Sequence, residues 1–519
     1  MKTLNILTTG AFATLLLLGS CTKDVDNPNS PGGGGEGGVV EGIPTYATVS
    51  LSQGTGAGTY AGAADYVNGD SPASEAEKKI TDAVVLVFNS DDILENYVTL
   101  DVVTEGVAPD QKTVVKKTFA TTTGKKRLYA LANLGDYSDI ADIFNGQNGK
   151  TAADKKLSNV CKVIQEIADI SGATTDNEFW MSNVYKLGAT IEDQVTVLNV
   201  DQTTVEGGNG DEATKNNFKV YIGRMTGKVT LSFSDALVVN SKDGTFDKDN
   251  AQYRVRNNPK RFYTFPVYDG TQLISPYYNR TYDLPNPTDY ADDNTNVGKN
   301  DFFDNGHDNG GNHTFVNTKT NSYLTENSPK EAKRHKVTFL SIKAKWTPSE
   351  DALFLNANGS VAGDLSGTIA GNQGTFYRVQ KWQGGKIVGY CPGIYAETPA
   401  RWTDVGGTPG NGEGALNTAV ADRNAAKASA KACYLIVTYD QGMAYWAYWM
   451  RSRLDGTIAE KYALKRNNHY KVNIISVDGV GEPTEDDNLD KDEDLEADAS
   501  MKATIEVLNW NVVDIEGGI

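Results

Sequence analysis

The residues able to do chemistry are few in kind. Four histidines stand among 519 residues, beside 67 Asp and Glu and 49 Lys and Arg, so metal binding or general-base catalysis built on imidazole has little raw material. The densest mixed cluster is Asp301, Asp304, His307, Asp308 and His313. Its donors suit calcium or zinc, but the spacing matches neither an EF-hand nor a zinc motif. A solvated Asn/Gly/Asp loop is the simpler account, and the same holds for calcium at Asp486 to Asp498. Glycoside hydrolysis needs two carboxylates at a set separation, and nothing in the spacing selects a pair. Trp382, Tyr390, Tyr395 and Trp402, with Arg401 nearby, could stack on a sugar, although such rings more often serve a β-rich protein as core or edge cover. Cys161, Cys391 and Cys433 lack the histidine partner of a catalytic thiol; Cys391 and Cys433 share one half of the chain and could bridge. The residues therefore point to no enzyme, no cofactor and no metal.

A fourth cysteine has the most specific context. Lys2 gives a positive start, Ile6 to Leu18 form an apolar run too short to span a bilayer, and Leu18-Gly19-Ser20-Cys21 matches a bacterial lipobox. Residues 1–20 then read as a lipoprotein signal peptide and Cys21 as the lipidated first residue, held by several acyl chains where one alone holds weakly. Residues 21–45, with Pro28, Pro31 and the glycine run Gly32 to Gly35, read as a flexible linker. The net charge of -18 opposes nucleic acid or an anionic membrane surface as partner, because phosphates are repelled rather than neutralised. It fits an extracellular surface.

What must position these groups is a β scaffold. Fifty-two glycines, 25 tyrosines and few long helical patterns favour an all-β class, and 519 residues exceed one core. The expected architecture is two tandem β-sandwich domains with a few short inserted helices, residues 46–217 and 218–519, divided at a Gly/Asn/Asp-rich break. Strands are expected at Ala83 to Phe88, Thr113 to Phe119, Arg127 to Leu131 and Gln194 to Val200 in the first domain, and at Phe218 to Ile222 and Lys228 to Phe233 at the start of the second. Further on they are expected at Lys336 to Trp346, Thr375 to Val379, Lys386 to Tyr390, Cys433 to Tyr439, Met443 to Trp449 and Tyr470 to Val477. Leu157, Val160, Cys161, Ile164, Ile167 and Ala168 recur at helical spacing, which predicts one amphipathic helix with Cys161 as a buried thiol. Residues 417–432 predict a second, short one.

Two segments stand apart from this scaffold. Tyr46, Thr48 and Ser50 alternate with Ala47, Val49 and Leu51 as a first strand, followed by a soft loop from Gln53 to Glu77 with almost nothing to bury; loops of that length are functional or disordered. Near the other end, the acidic run Glu485 to Asp498 predicts a solvated tether. It leads to a last strand over residues 501–515, in which Ala503, Ile505 and Val507 alternate with polar residues before the apolar side switches to Leu508, Trp510 and Val512. The switch predicts a bulge near Val507 and Leu508. Such a strand can pair within its own molecule or with a neighbour.

Several segments taken in order resemble the Mfa1-type minor fimbrial subunits of the Bacteroidales. They are the lipobox, the strand Tyr46 to Ser52, Arg127 to Leu131, and Arg224-Met225-Thr226-Gly227-Lys228-Val229. Val337 to Pro348, Ala444 to Tyr448, Arg466-Asn467-Asn468-His469-Tyr470-Lys471-Val472 and Val507-Leu508-Asn509-Trp510 complete the set. The resemblance implies a structural subunit of a type V pilus with two β-sandwich domains of transthyretin-like, Greek-key topology. It implies export through the outer membrane as a lipoprotein precursor, proteolytic loss of the first strand (Tyr46, Ala47, Val49, Leu51), and filling of the vacated groove by the last strand of another subunit. Donor residues would be Ile505, Val507, Leu508, Trp510 and Val512, each worth roughly 1.5 to 3 kcal/mol when buried. The implied partners are other copies of the chain in a head-to-tail homopolymer, other fimbrial subunits, and host or bacterial surface receptors, with adhesion and biofilm formation as the outcome. Subunits of this kind carry an arginine after the first strand, where a trypsin-like protease cuts; here nothing basic lies between Lys23 and Lys78. That leaves cleavage at Lys78 or Lys79, another specificity, or none. The last suits an anchor subunit or a monomeric surface lipoprotein that binds glycans or partners.

Overall fold

Segments that alternate apolar and polar residues, or run apolar without a break, form the strands, and a few short helices cover them. The computed structural model describes residues 42–53, 67–72, 76–105, 112–161, 164–166, 179–183, 196–200, 216–265, 267–269, 272–274, 315–329, 333–334, 336–403, 413–415, 419–453, 456–492, 495 and 501–511. The protein is mostly β, with short helices and several largely antiparallel sheets.

In the first half the strands are β1 Pro44–Gln53, β2 Val67–Pro72, β3 Ala83–Phe88, β4 Leu94–Thr99, β5 Asp101–Glu105, β6 Lys112–Thr122, β7 Gly124–Ala132, β8 Ile164–Glu166, β9 Met181–Asn183, β10 Thr196–Val200, β11 Asn217–Arg224 and β12 Thr226–Val239. Nine-stranded sheet order is β4-β3-β7-β9-β11-β1-β6-β5, with β10 on β7. One face of nearly every strand meets the others of the same sheet in a single core, Val49 and Leu51 touching the same cluster as Val85, Val98, Val115 and Leu128. The sheet therefore folds over itself, and its two ends, β4 and β5, are joined through buried Leu100. Every residue of β3 is buried because its outer face is covered too, by Ile140 and Ile143 of the helix Ser138–Asn145. That doubly covered strand reads as an unbroken apolar run rather than an alternation.

β12 follows β11 after one fully buried residue, Met225, and opens a five-stranded sheet in the order Asn321–Thr325, β12, Asn468–Val477, Met501–Asn511, β2. This sheet packs on the strands Gln252–Arg256, Phe339–Pro348 and Met443–Trp449, with Val229, Leu231, Tyr253, Ile342, Trp446 and Val472 in the shared core. A further sheet around Phe376–Gln383 and Cys433–Tyr439 joins it. Gly227 is required by close approach: a Cβ there would lie 2.9 Å from Leu324 Cδ1 and 3.2 Å from the Lys465 carbonyl oxygen.

Three local expectations change. β11, expected to begin the second domain, pairs with β1 in the first sheet, so the change of sheet falls at Met225 and not at the 217/218 break. The helix expected from Leu157 to Ala168 is only Leu157–Val160; β8 is a strand, antiparallel to Arg261–Tyr263, since a distant backbone partner outweighs weak local propensity. Ile167 and Ala168 lie outside the described residues. The soft loop contains β2, whose Val-Asn-Gly-Asp-Ser-Pro sequence has no strand signature but whose backbone pairs with Met501–Asn511.

Candidate functional site

β1 sits well inside its sheet. It runs antiparallel to β6, Pro44 to Ser50 against Thr122 to Lys116, and parallel to β11, Thr48 to Gln53 against Asn217 to Ile222. Ala47, Val49 and Leu51 point inward, Val49 at 0% exposure, while Tyr46 points out at 42%. Bonds beyond the ladder fasten it further: Asn216 Nδ2 donates to the Tyr46 carbonyl at 2.8 Å, the Ile43 N–H to the Thr123 hydroxyl at 3.0 Å, and the Thr48 and Thr118 hydroxyls lie 2.8 Å apart. Without β1, both β6 and β11 lose a backbone partner over an apolar trough. Each buried backbone group left unpaired costs about 1–3 kcal/mol, so the trough demands another strand.

The strand Met501–Asn511 has the same composition in the same phase. Ala47-Thr48-Val49-Ser50-Leu51 and Ala503-Thr504-Ile505-Glu506-Val507 both read small, polar, β-branched, polar, aliphatic. The seat of the second is poorer. It is antiparallel to Asn468–Val477, from Asn468 opposite Asn509 to Val477 opposite Met501, and among the described residues its other edge meets only the six residues of β2, in parallel. Val507 and Leu508 are buried, but Ala503 and Ile505 are only partly so. The pairing with Asn468–Val477 is regular at Val507 and Leu508, its irregularity lying between Ile474 and Ser476. An irregularity does fall at the expected place in the pairing with β2, where Val67 stands opposite Val507 and Asp70 opposite Asn509. Trp510 is in the strand by its backbone, while its side chain, Val512 and the rest of the expected donor stretch lie outside the described residues.

The acidic lead-in is not a solvated tether. Arg254 Nε donates to Glu485 at 2.9 Å, and Arg256 donates to Glu485 at 3.2 Å and to Asp486 at 3.0 Å. Arg423 reaches Asp486 at 3.0 Å and also pairs with Asp490, and Lys427 pairs with Asp490 at 2.7 Å. Asp487 and Asp490 are buried on the short helix Asp487–Asp490, and Leu495 packs with Val337, Phe339 and Trp449. Burial, with Glu482 adding to it, pushes the Asp487 carboxyl up to about 7 against the opposing pull of Arg423. A run of acids shows in the sequence; the convergence of four distant cations on it does not.

The two sheets are joined by the segments that carry the family resemblance. Arg466 is fully buried. It donates from Nε to Glu326 at 2.9 Å, from Nη1 to the Thr264 carbonyl at 3.2 Å and from Nη2 to the Tyr263 carbonyl at 2.8 Å. Asn467 Oδ1 accepts from the Arg224 N–H at 3.1 Å. Arg224 in turn holds the Glu77 carbonyl from Nε at 2.9 Å and Nη2 at 2.7 Å, and the Glu77 carboxylate takes Lys228 at 3.3 Å and the Tyr323 hydroxyl at 3.1 Å. Lys78 and Lys79, the basic positions considered for cleavage, directly follow this clamp. The Lys79 carbonyl accepts from Asn133 Nδ2 at 2.7 Å and Ile80 is buried. Backbone held on both sides is poor substrate for proteolysis, which favours exposed loop tips.

The remaining expectations resolve simply. Trp382 and Tyr395 are buried, the Tyr390 hydroxyl donates to Glu482, and Trp402 stacks on Tyr434 at 4.9 Å between centroids; these rings are core and cover rather than a sugar platform. Cys391 and Cys433 are not bridged, and Cys161 is a half-buried thiol outside any disulfide. Asp301, Asp304, His307, Asp308, His313 and Cys21 lie outside the described residues. Among the described residues no cluster of three His, Cys, Asp or Glu is placed to hold a metal ion.

Two family models match. Residues 47–224 match the major fimbrial subunit protein (FimA) model, which begins inside β1 and ends with β11. Residues 437–516 match the C-terminal model of the major fimbrial subunit protein type IV, fimbrillin. Both models describe major fimbrial subunits, the first of them FimA, and neither names the Mfa1 type expected from the sequence. The matched families are structural subunits of cell-surface fimbriae and not enzymes. Among curated proteins none matches the chain. Solved structures with some likeness include a putative cell adhesion protein of Parabacteroides distasonis, 11% identical, covering 90% of this chain and 100% of that one at a TM-score of 0.44. A fimbrilin of Porphyromonas gingivalis is 14% identical, covering 90% and 98% at 0.43. The tip fimbrial protein Mfa3 of the same organism, with a C-terminal truncation, is 11% identical, covering 90% and 100% at 0.33. At such scores these likenesses carry no argument of their own.

Proposed function

We propose that this chain, which matches the FimA model over residues 47–224 and the fimbrillin C-terminal model over residues 437–516, is a fimbrial subunit that polymerises head to tail by strand exchange: β1 leaves, and the Met501–Asn511 strand of another copy takes its seat. The observation that carries this reading is the matched pattern of the two strands together with the unequal quality of their seats. In the β1 position Ile505 takes the place of Val49, fully buried between β6 and β11; in its home sheet it is half-buried. The move buries more apolar surface, at about 25 cal/mol per Å², and restores the backbone partners of two strands at once. Because donor and acceptor are different surfaces, the contact repeats without closing. Export as a lipoprotein lipidated at Cys21, and a role in adhesion and biofilm formation with surface receptors as further partners, complete the reading.

The test is Ile505→Asp in the full chain. The half-buried home position tolerates the change, so a folded monomer is expected, while the fully buried seat does not, so fibres are lost. Fibres of normal length from a folded Ile505→Asp protein would sink the exchange. The N-terminal residue of the surface-assembled protein is the second readout: a start beyond Gln53 is expected, and a lipidated Cys21 on all of it favours an anchor subunit or a monomeric binding lipoprotein.

A further inference from the structure

The exchange gives β2 no role, yet among the described residues it is the only strand on the outer edge of the donor. It runs parallel to the last strand, with Val67 opposite Val507 and Asp70, Ser71 and Pro72 opposite Asn509, Trp510 and Asn511. The strand Asn468–Val477 reaches no further than Asn509, so among the described pairings Trp510 and Asn511 are held by β2 alone. The Val-Asn-Gly-Asp-Ser-Pro sequence is a poor strand former, and Pro72 is a residue that sheets confine to edges. Such a strand binds through its backbone, weakly enough to be displaced. Just downstream, Glu77 is fixed by the two bonds from Arg224 and the pairing with Lys228. β1 and β2 thus lie on one segment but engage different sheets, and the Glu77 clamp ties β2 to the body of the protein independently of β1.

We propose that β2 is a latch on the donor strand, distinct from the β1 plug: it holds Met501–Asn511 in the home sheet until β2 itself is displaced. Loss of β1 by a cut upstream of Val67 opens the acceptor groove and leaves the donor held, so a cleaved subunit stays monomeric until an encounter peels β2 away. The consequence for assembly rests on the strand-exchange reading; the latch itself is a property of one molecule.

Two measurements separate the latch from that reading. The first joins the latch to the donor through Asp70→Cys with Asn509→Cys, a directly opposed pair, with the cross-link verified by peptide mass. After cleavage just past Gln53, the oxidised protein is expected to form no fibres and the reduced protein to form them; equal assembly in both states overturns the latch. The second needs no fibres. Replacing Val67–Pro72 with a Gly/Ser segment of equal length in the uncleaved chain is expected to speed amide exchange across Met501–Asn511 while β3 and β7 keep their protection. Unchanged exchange at Met501–Asn511 overturns the proposal. Faster exchange in a protein that never assembles, whatever its cysteines, upholds the latch and removes the strand-exchange reading.

Discussion

β1 and the last strand are built to one pattern and seated in unlike places. β1 has a strand on each side, extra side-chain bonds at its start, and inward residues without exposed surface. The last strand has one long partner, one short edge cover, and half-buried residues at Ala503 and Ile505. The strand pattern is shared while stability belongs to the seat: two adjacent backbones and a closed apolar trough make the stronger site. On the proposed exchange, a sequence matched to the better site but held in the worse one carries free energy for assembly.

Four substitutions test the two seats and the acidic segment beside the second, in decreasing order of expected effect. Val49→Asp places a carboxylate in the centre of the first core and is expected to cost the uncleaved chain about 4 kcal/mol or more in urea unfolding. Once β1 has been removed, the same substitution has nothing to act on. A precursor of undiminished stability would show that the β1 seat is not the stronger one. Arg423→Ala withdraws a cation from Asp486, Asp487 and Asp490 and is expected to cost roughly 3 kcal/mol, with faster amide exchange spreading from the acidic strap, Glu485 to Asp492, into Met501–Asn511. Exchange confined to the strap would sever the two.

Asp487→Asn gives a smaller effect with a definite pH dependence. The folded carboxyl titrates near 7, above its ordinary value of 3.8, so the folded state holds the proton more tightly than the unfolded state. Its contribution is most favourable below about pH 4, declines as the pH rises through 7, and levels off above. The neutral amide escapes that decline. The variant is expected to gain on the order of 2 kcal/mol over the parent at pH 8 and little at pH 5, measured by denaturant unfolding at both. A gain independent of pH would show that Asp487 is ionised throughout. Least in the monomer is Ile505→Asp, expected to cost about 1 kcal/mol at the half-buried home position, read in the same unfolding assay. A cost as large as that of Val49→Asp would make the two seats equal.

Much of the β scaffold was legible. Ala83–Phe88, Lys386–Tyr390, Cys433–Tyr439 and Met443–Trp449 are strands with the bounds their apolar and aromatic runs suggest, and the alanine-rich segment holds the helix Arg423–Ala428, capped by the Asp422 side chain. The first strand was legible as a strand, and so was the last. What escaped has a common cause. β2 has no side-chain signature because it contributes backbone; β8 borrowed a helical-looking spacing; and the helix Ser138–Asn145 shows only two buried residues, Ile140 and Ile143, too few to announce a stripe. The acidic strap was misread because carboxylates look solvated until their cations are known.

From its residues alone this chain is a β-rich, acidic protein with two period-two segments near its ends and a fimbrial resemblance running through it. Only the tertiary structure decided that β1 lies between β6 and β11, that the last strand rests beside Asn468–Val477 under β2, and that Glu485 to Asp492 is clamped rather than free. The reason is physical. A strand's alternation encodes which side chains seek an apolar face, whereas the backbone hydrogen bonds that choose its neighbours are the same for every residue but proline. The partners of a charge or of a strand edge are set by distant parts of the chain, and they become definite only when the fold brings them together.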